Sequence, residues 1–140
     1  MKVLDANFVI SSFNGKVKFS EDYFVAPDVV VELGVDPNIG LQSNIRNGRE
    51  STFFDEVSYL KNYYIFVNKY TPSFYNMTNL GDISTIAFIK TVLDKIKRQP
   101  GLPTMSETLM LYSDDKRLNK RCKKEFGDDV EIVTFSDIVL

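Results

Sequence analysis

The carboxylates of this chain are attached to apolar segments rather than scattered. Asp5 ends the run Met1-Lys-Val-Leu-Asp. Glu32 sits in Val29-Val-Val-Glu-Leu, Asp82 opens Gly81-Asp-Ile-Ser-Thr-Ile-Ala, and Asp114-Asp115 follow Leu109-Met-Leu-Tyr-Ser. Acids launched from strand ends and helix starts can converge in one cleft, and such a cleft repels itself unless divalent cations hold it together. Histidine is absent, which excludes a His general base, a His triad and any His-ligated metal. Carboxylate and hard-metal chemistry is what remains.

Each acid also has a plain structural role open to it. Asp5 can serve as a turn residue or N-cap, and Glu32 as a solvent-facing residue near a helix end. Asp82, after Gly81 and before an apolar helix, can be an N-cap, as can one of Asp114 and Asp115. The order Ser, any residue, Asp favours Asp115 as the functional one, with Asp114 close behind. Asn7 and Ser113 are polar neighbours able to orient a carboxylate or a metal-bound water, or simply to make turns. Cys122, in a basic segment with no His anywhere, reads as a packing residue rather than a nucleophile.

The positioning elements follow from pattern. Lys2 to Leu4 reads as a short buried strand, Asn7 to Phe13 as a helix ending near Asn14-Gly15, and Tyr23 to Pro27 as a second strand. Pro27-Asp28 starts a helix through Glu32-Leu33, and Gly34 stops it. Residues 35–51 are rich in Asn, Gly and Ser and read as a loop or mobile hairpin. Thr52 to Asn62 has helical spacing, Tyr63 to Val67 is β-rich, and Asp82 to Lys97 is helical up to the break at Pro100-Gly-Leu-Pro103. Thr108 to Tyr112 is a strand, 115–126 a helix closed by Gly127, and Glu131 to Thr134 a last strand. This alternation predicts a three-layer α/β/α sandwich with a mainly parallel central sheet, whose ligands bind at the carboxyl ends of strands.

At 140 residues the chain is expected to form one domain spanning 1–140. Its 44% apolar and 26% charged residues fit an ordinary soluble globule. No apolar stretch reaches the roughly 20 residues a membrane span needs. The first residues lead directly into a strand pattern, leaving no room for a signal peptide, and one cysteine suits a reducing compartment, so cytoplasm is expected. The net charge of −2 conceals an asymmetry. Residues 1–89 hold ten acids and seven bases, 90–126 ten bases and five acids, and the last fourteen four acids and no base. Lys116, Arg117, Lys120, Arg121, Lys123 and Lys124 follow the Asp114-Asp115 pair. A basic surface beside an acidic cleft suits a phosphodiester substrate, with a solvated helix face as the alternative.

Four blocks in order carry a family resemblance: Leu4-Asp5-Ala-Asn7, Pro27-Asp-Val-Val-Val-Glu32-Leu, Leu80-Gly-Asp82-Ile-Ser-Thr-Ile-Ala87 and Tyr112-Ser-Asp114-Asp115-Lys-Arg-Leu118. They resemble the acidic blocks of PIN-domain ribonucleases, and Val133-Thr-Phe-Ser-Asp137 resembles that fold's closing strand. The small size is similar to VapC toxins of toxin–antitoxin pairs. Departures are the Asn-, Tyr- and Phe-rich segment between Glu32 and Asp82, and Ile83 in place of a small residue. The resemblance implies a metal-dependent endoribonuclease in which Asp5, Glu32, Asp82 and Asp115 (or Asp114) hold Mg2+ or Mn2+, leaving a 5′-phosphate and a 3′-hydroxyl. Lys116, Arg117, Lys120 and Arg121 would then bind RNA. It also implies a small antitoxin partner entering the cleft. A non-catalytic PIN-like module that binds RNA or protein is the alternative.

Other chemistries fit less well. A haloacid-dehalogenase-like phosphatase needs an Asp where Asn7 stands. A response-regulator receiver needs an acidic pair and a central phospho-accepting Asp that are not evident, and no glycine pattern forms a P-loop or dinucleotide fingerprint. Phe53, Phe54, Tyr59, Tyr63, Tyr64, Tyr70, Phe74 and Tyr75 crowd into 23 residues. One core does not easily bury them all, so a homodimer using part of this segment is expected, as the resemblance also suggests; packing of the rings over the sheet is the alternative.

Overall fold

The computed structural model describes residues 1–13, 21–33, 44–70, 80–98 and 109–138. Strands β1 (Lys2–Leu4), β2 (Tyr23–Val25), β3 (Ile45–Asn47), β4 (Leu109–Tyr112) and β5 (Val130–Val133) form one sheet in the order β3-β2-β1-β4-β5. Every pairing is parallel. The chain winds outward from β1 through β2 to β3, then crosses back to lay β4 and β5 on the other side. With right-handed crossovers, that reversal puts helices on both faces. The result is the expected α/β/α sandwich with a parallel sheet. Val3, Leu4, Val25 and Leu111 are fully buried, as strands covered on both faces require.

The helices are α1 (Ala6–Phe13), α2 (Pro27–Glu32), α3 (Glu56–Tyr70), α4 (Leu80–Lys97), α5 (Lys116–Phe126) and α6 (Phe135–Ile138). Pro27 opens α2 as expected, since its missing N–H is one that a first helical turn leaves unbonded. Helix α4 is buried almost all round from Gly81 to Leu93 because it packs against α2, α3 and α5. On α1, Phe8 stacks on Phe135 of α6 with ring centroids 4.0 Å apart. Gly127 ends α5 at φ +54°, a left-handed conformation that favours glycine.

Two expectations are corrected. Tyr63 to Val67 is not a strand but the second half of α3. Tyr59, Asn62 and Phe66 are its buried residues, at helical spacing that runs straight through the expected boundary. They meet α4, where the Tyr59 hydroxyl lies 2.6 Å from Ser84 Oγ and Asn62 Nδ2 donates to Thr91 Oγ1 at 3.0 Å. Packing on a neighbouring helix outweighs the local β-propensity of Tyr, Ile and Val. The helix also begins at Glu56 rather than Thr52, with Asp55 Oδ2 accepting from the amide of Ser58 at 3.0 Å. Within the segment expected to be a loop, Ile45–Asn47 forms edge strand β3 and Gly48–Glu50 a 3-10 turn. Residues 34–43, the Asn14-Gly15 stop, Phe74, Tyr75 and Pro100 to Pro103 lie outside the described residues.

Of the seven described aromatics in the crowded segment, Tyr59 and Phe66 are core at 2% exposure, and Phe53, Phe54, Tyr63 and Tyr70 pack against the core. Only Tyr64 among these seven is strongly exposed. Among the described residues, no helix is long and apolar enough to cross a membrane.

Candidate functional site

The sheet order reverses at β1, so the crevice between the carboxyl ends of β1 and β4 is the switch point where such sheets bind ligands. Asp5 is the first residue past β1, and its amide donates to Tyr112 O at 3.0 Å. Because Leu4 pairs with Tyr112, Ser113 falls beside Asp5. The Ser113 hydroxyl donates to Asp5 Oδ2 at 3.3 Å and accepts from the Asp115 amide at 3.1 Å. Asp5 is 6% exposed. Burial pushes its carboxyl above the usual range, and the charges of Asp115 and Glu32 add to this, while the Ala6 amide and the Ser113 hydroxyl oppose it.

Asp82 lies inside the first turn of α4, which begins at Leu80, and does not cap it. Its Oδ2 is buried with no hydrogen-bond partner among the described residues. Burial, then the charges of Asp115 and Asp5, push the carboxyl up to about 6, against Arg117 and Arg121. Glu32, the last residue of α2, is neither idle nor simply solvated. Its Oε1 accepts from the Gly81 amide at 3.0 Å, satisfying a helix-start N–H from another helix. A Cβ on Gly81 would lie 2.4 Å from Glu32 Oε2, so glycine is what lets this carboxylate settle there.

The two adjacent aspartates separate. Asp115 caps α5, its Oδ1 accepting from the amides of Arg117 and Leu118 at 2.9 and 3.1 Å, and it also acts on both Asp5 and Asp82. Asp114 is exposed, with Oδ1 accepting from the Phe135 amide at 3.0 Å, and is not among the charges that shift either acid. Asn7 is exposed on α1, and its side chain makes no hydrogen bond among the described residues.

Helix α5 has two basic faces. Lys116, Arg117 and Lys120 are exposed. Arg121, expected beside them, is partly buried. Its guanidinium carbon lies 4.6 Å from the centroid of the Tyr70 ring, and its Nη1 is buried without a partner among the described residues. One turn further along α5, Glu125 accepts from both Lys69 and the Tyr70 hydroxyl. Cys122 is fully buried and its thiol is pushed up to about 12 by burial, which makes it a packing residue. Sequence reasoning missed Gly81, Tyr70 and Asn119, whose Nδ2 donates to Ser113 O at 2.9 Å. The i, i+4 spacing of Arg117 and Arg121 was the signal available for a shared helix face.

Among the described residues, no three Cys, Asp or Glu side chains stand close enough together to hold a metal ion as they lie. The donor chemistry nonetheless fits a hard cation. All the ligands are oxygens, Asp82 Oδ2 is buried and unpartnered, and the hydrogen bonds above engage only one oxygen each of Asp115 and Glu32. No family model matches the chain, and neither do any curated protein or solved structure.

Proposed function

We propose that this protein is a metal-dependent endoribonuclease of the PIN type that its four acidic blocks resemble, using Mg2+ or Mn2+. One observation carries the reading. Asp5, Asp82, Asp115 and Glu32 come from four separate parts of the fold, and besides burial the charges of Asp115 and Glu32 raise the proton affinity of Asp5 while those of Asp115 and Asp5 raise that of Asp82. Such mutual repulsion destabilises a protein and is characteristic of sites that a cation or substrate completes. Bound there, the cation would lower the pKa of a coordinated water and stabilise charge on the attacking and leaving oxygens. Asp5 and Asp82 would hold it, Asp115 and Glu32 would contribute their second oxygens, and the Ser113 hydroxyl, which donates to Asp5 Oδ2, orients Asp5. Lys116, Arg117 and Lys120 lie on the exposed side of α5, where they would grip the RNA backbone. The same reading includes a cytoplasmic toxin held by a small antitoxin and working as a homodimer.

The lack of three converged carboxylates among the described residues favours one second reading, a PIN-like module that binds RNA or protein without cutting. Incubation of total RNA with the protein and Mg2+ or Mn2+, followed by mapping of the ends, separates the two. Cleavage to 5′-phosphate ends that vanishes with EDTA, with Asp5→Asn and with Asp82→Asn supports the nuclease. Turnover like wild type in either variant would sink the proposed site.

A further inference from the structure

Helix α5 carries two kinds of cation. Lys116 and Lys120 reach into solvent and have no salt bridge among the described residues, as a long-range attractor for polyanions would. Arg121 is different. Its planar group lies over the Tyr70 ring, the Tyr70 hydroxyl is held by Glu125, and Glu125 also takes Lys69. A guanidinium fixed on an aromatic plane loses little freedom on forming further bonds. It is nevertheless left with Nη1 buried and unpartnered among the described residues, as is Oδ2 of Asp82. The two groups attract each other without a hydrogen bond between them. Buried donors and acceptors are almost always satisfied, so an unpartnered donor and an unpartnered acceptor of opposite charge that attract each other mark a place where a further group would complete the site. A phosphodiester meets the first requirement, because its non-bridging oxygen accepts from the guanidinium; the carboxylate would instead hold a cation, which would balance the charge of that phosphate.

We infer that Arg121, held in place by Tyr70, binds a non-bridging oxygen of the scissile phosphate and stabilises charge there, rather than serving with Lys116 and Lys120 in general attraction of RNA. This rests on the nuclease reading for its catalytic part, whereas binding of a phosphate does not. Tyr70 is a positioning residue that acts through Arg121.

The test has two arms. In the binding arm, thermal unfolding of the whole protein is followed with increasing inorganic phosphate. Phosphate is expected to raise the unfolding temperature of wild type and of the Lys116→Gln/Lys120→Gln variant, and not that of Arg121→Gln. Equal protection of wild type and Arg121→Gln, or none of wild type, overturns the proposal whether or not the protein cuts RNA. In the kinetic arm, Arg121→Gln is expected to lower kcat by about 100-fold, the loss typical of one preorganised donor, with KM within about twofold. Lys116→Gln/Lys120→Gln instead raises KM and flattens its salt dependence. Tyr70→Leu should lower kcat in the same way, and Tyr70→Phe, which keeps the ring, should restore most of it. Millimolar guanidinium should partly rescue Arg121→Gly. A kcat unchanged in Arg121→Gln, or an effect on KM alone, overturns the assignment, and an inactive wild type removes the nuclease reading separately. Should Arg121→Gln not fold, Arg121→Lys decides. It keeps the charge without the planar fork, and wild-type kcat and phosphate protection in it would reject the proposal.

Discussion

Asp82 shows how a single residue can reveal a site through its cost. Its carboxyl titrates at about 6 in the folded chain against an ordinary 3.8, so the native state holds the proton more tightly than the unfolded state. The contribution to stability is therefore complete below pH 3.8 and is lost as the pH rises through about 6. Metal-free protein should lose stability across that window, by on the order of 1–2 kcal/mol from this group once solvent screening of a partly exposed carboxyl is allowed for. Asp82→Asn should flatten the window and raise the melting temperature at pH 7. Urea titrations in EDTA at pH 4 and pH 7 check both; a variant no more stable than wild type at pH 7 would mean that Asp82 is not strained there. Asp5, Asp82 and Asp115 were legible in the sequence because an acid directly after an apolar strand, or in an apolar helix start, has few solvated places to go. Their separate tasks were not legible. Whether Asp114 or Asp115 turned into the cleft depended on Asp114 finding the Phe135 amide, 21 residues away. No local pattern encodes that contact. Nor does one encode the inward turn of Arg121, which depends on Tyr70 arriving from a different helix.

Elements were legible where one periodicity dominated. The strands β1, β2, β4 and β5 are short apolar runs ending in polar turns, and α4 and α5 have long helical patterns with clear ends. The reading failed in α3, where Tyr63, Tyr64, Ile65, Phe66 and Val67 satisfy a strand as readily as a helix. The two assignments differ in which residue is core. In the helix, Phe66 is 2% exposed and Ile65 is 52% exposed. Phe66→Ala should therefore cost about 3–5 kcal/mol, and Ile65→Ala well under 1 kcal/mol. Comparable losses at both positions would contradict the helical face. The short edge strand β3 escaped because Ile45 is its only apolar residue and asparagines flank it. Gly81 makes a second element-scale test. Alanine there improves helix propensity by up to about 1 kcal/mol, but its Cβ takes the space of Glu32 Oε2. Gly81→Ala should keep or raise stability while lowering RNA cleavage to the level of Glu32→Gln. An alanine variant with full activity would show that Glu32 is not needed where it rests.

At the scale of the whole molecule, the fold disposes of most of the aromatic crowd that the sequence set out. Tyr59 is in the core, so it is not available to an interface. The apolar surface that remains on α3 is different in kind, with Val57 at 62%, Leu60 at 55% and Tyr64 at 70% exposure. They recur at i, i+3 and i+7, a stripe opposite the face formed by Tyr59, Asn62 and Phe66 that packs on α4. Lone exposed apolar residues are ordinary, but a helical stripe of them is the form of a helix that has buried one face and kept a second for a partner. If the chain forms the proposed homodimer, this stripe is the surface that should carry it, rather than the Tyr59 and Phe74 region suggested by composition alone. Light scattering at tens of micromolar should then give twice the 16.0 kDa chain mass, and Leu60→Glu should return the monomer with its melting temperature unchanged. Because Leu60 packs into no core, a stability loss does not confuse the result. A wild-type monomer at that concentration would end the homodimer, and a dimer that survives Leu60→Glu and Tyr64→Glu would move its interface off α3.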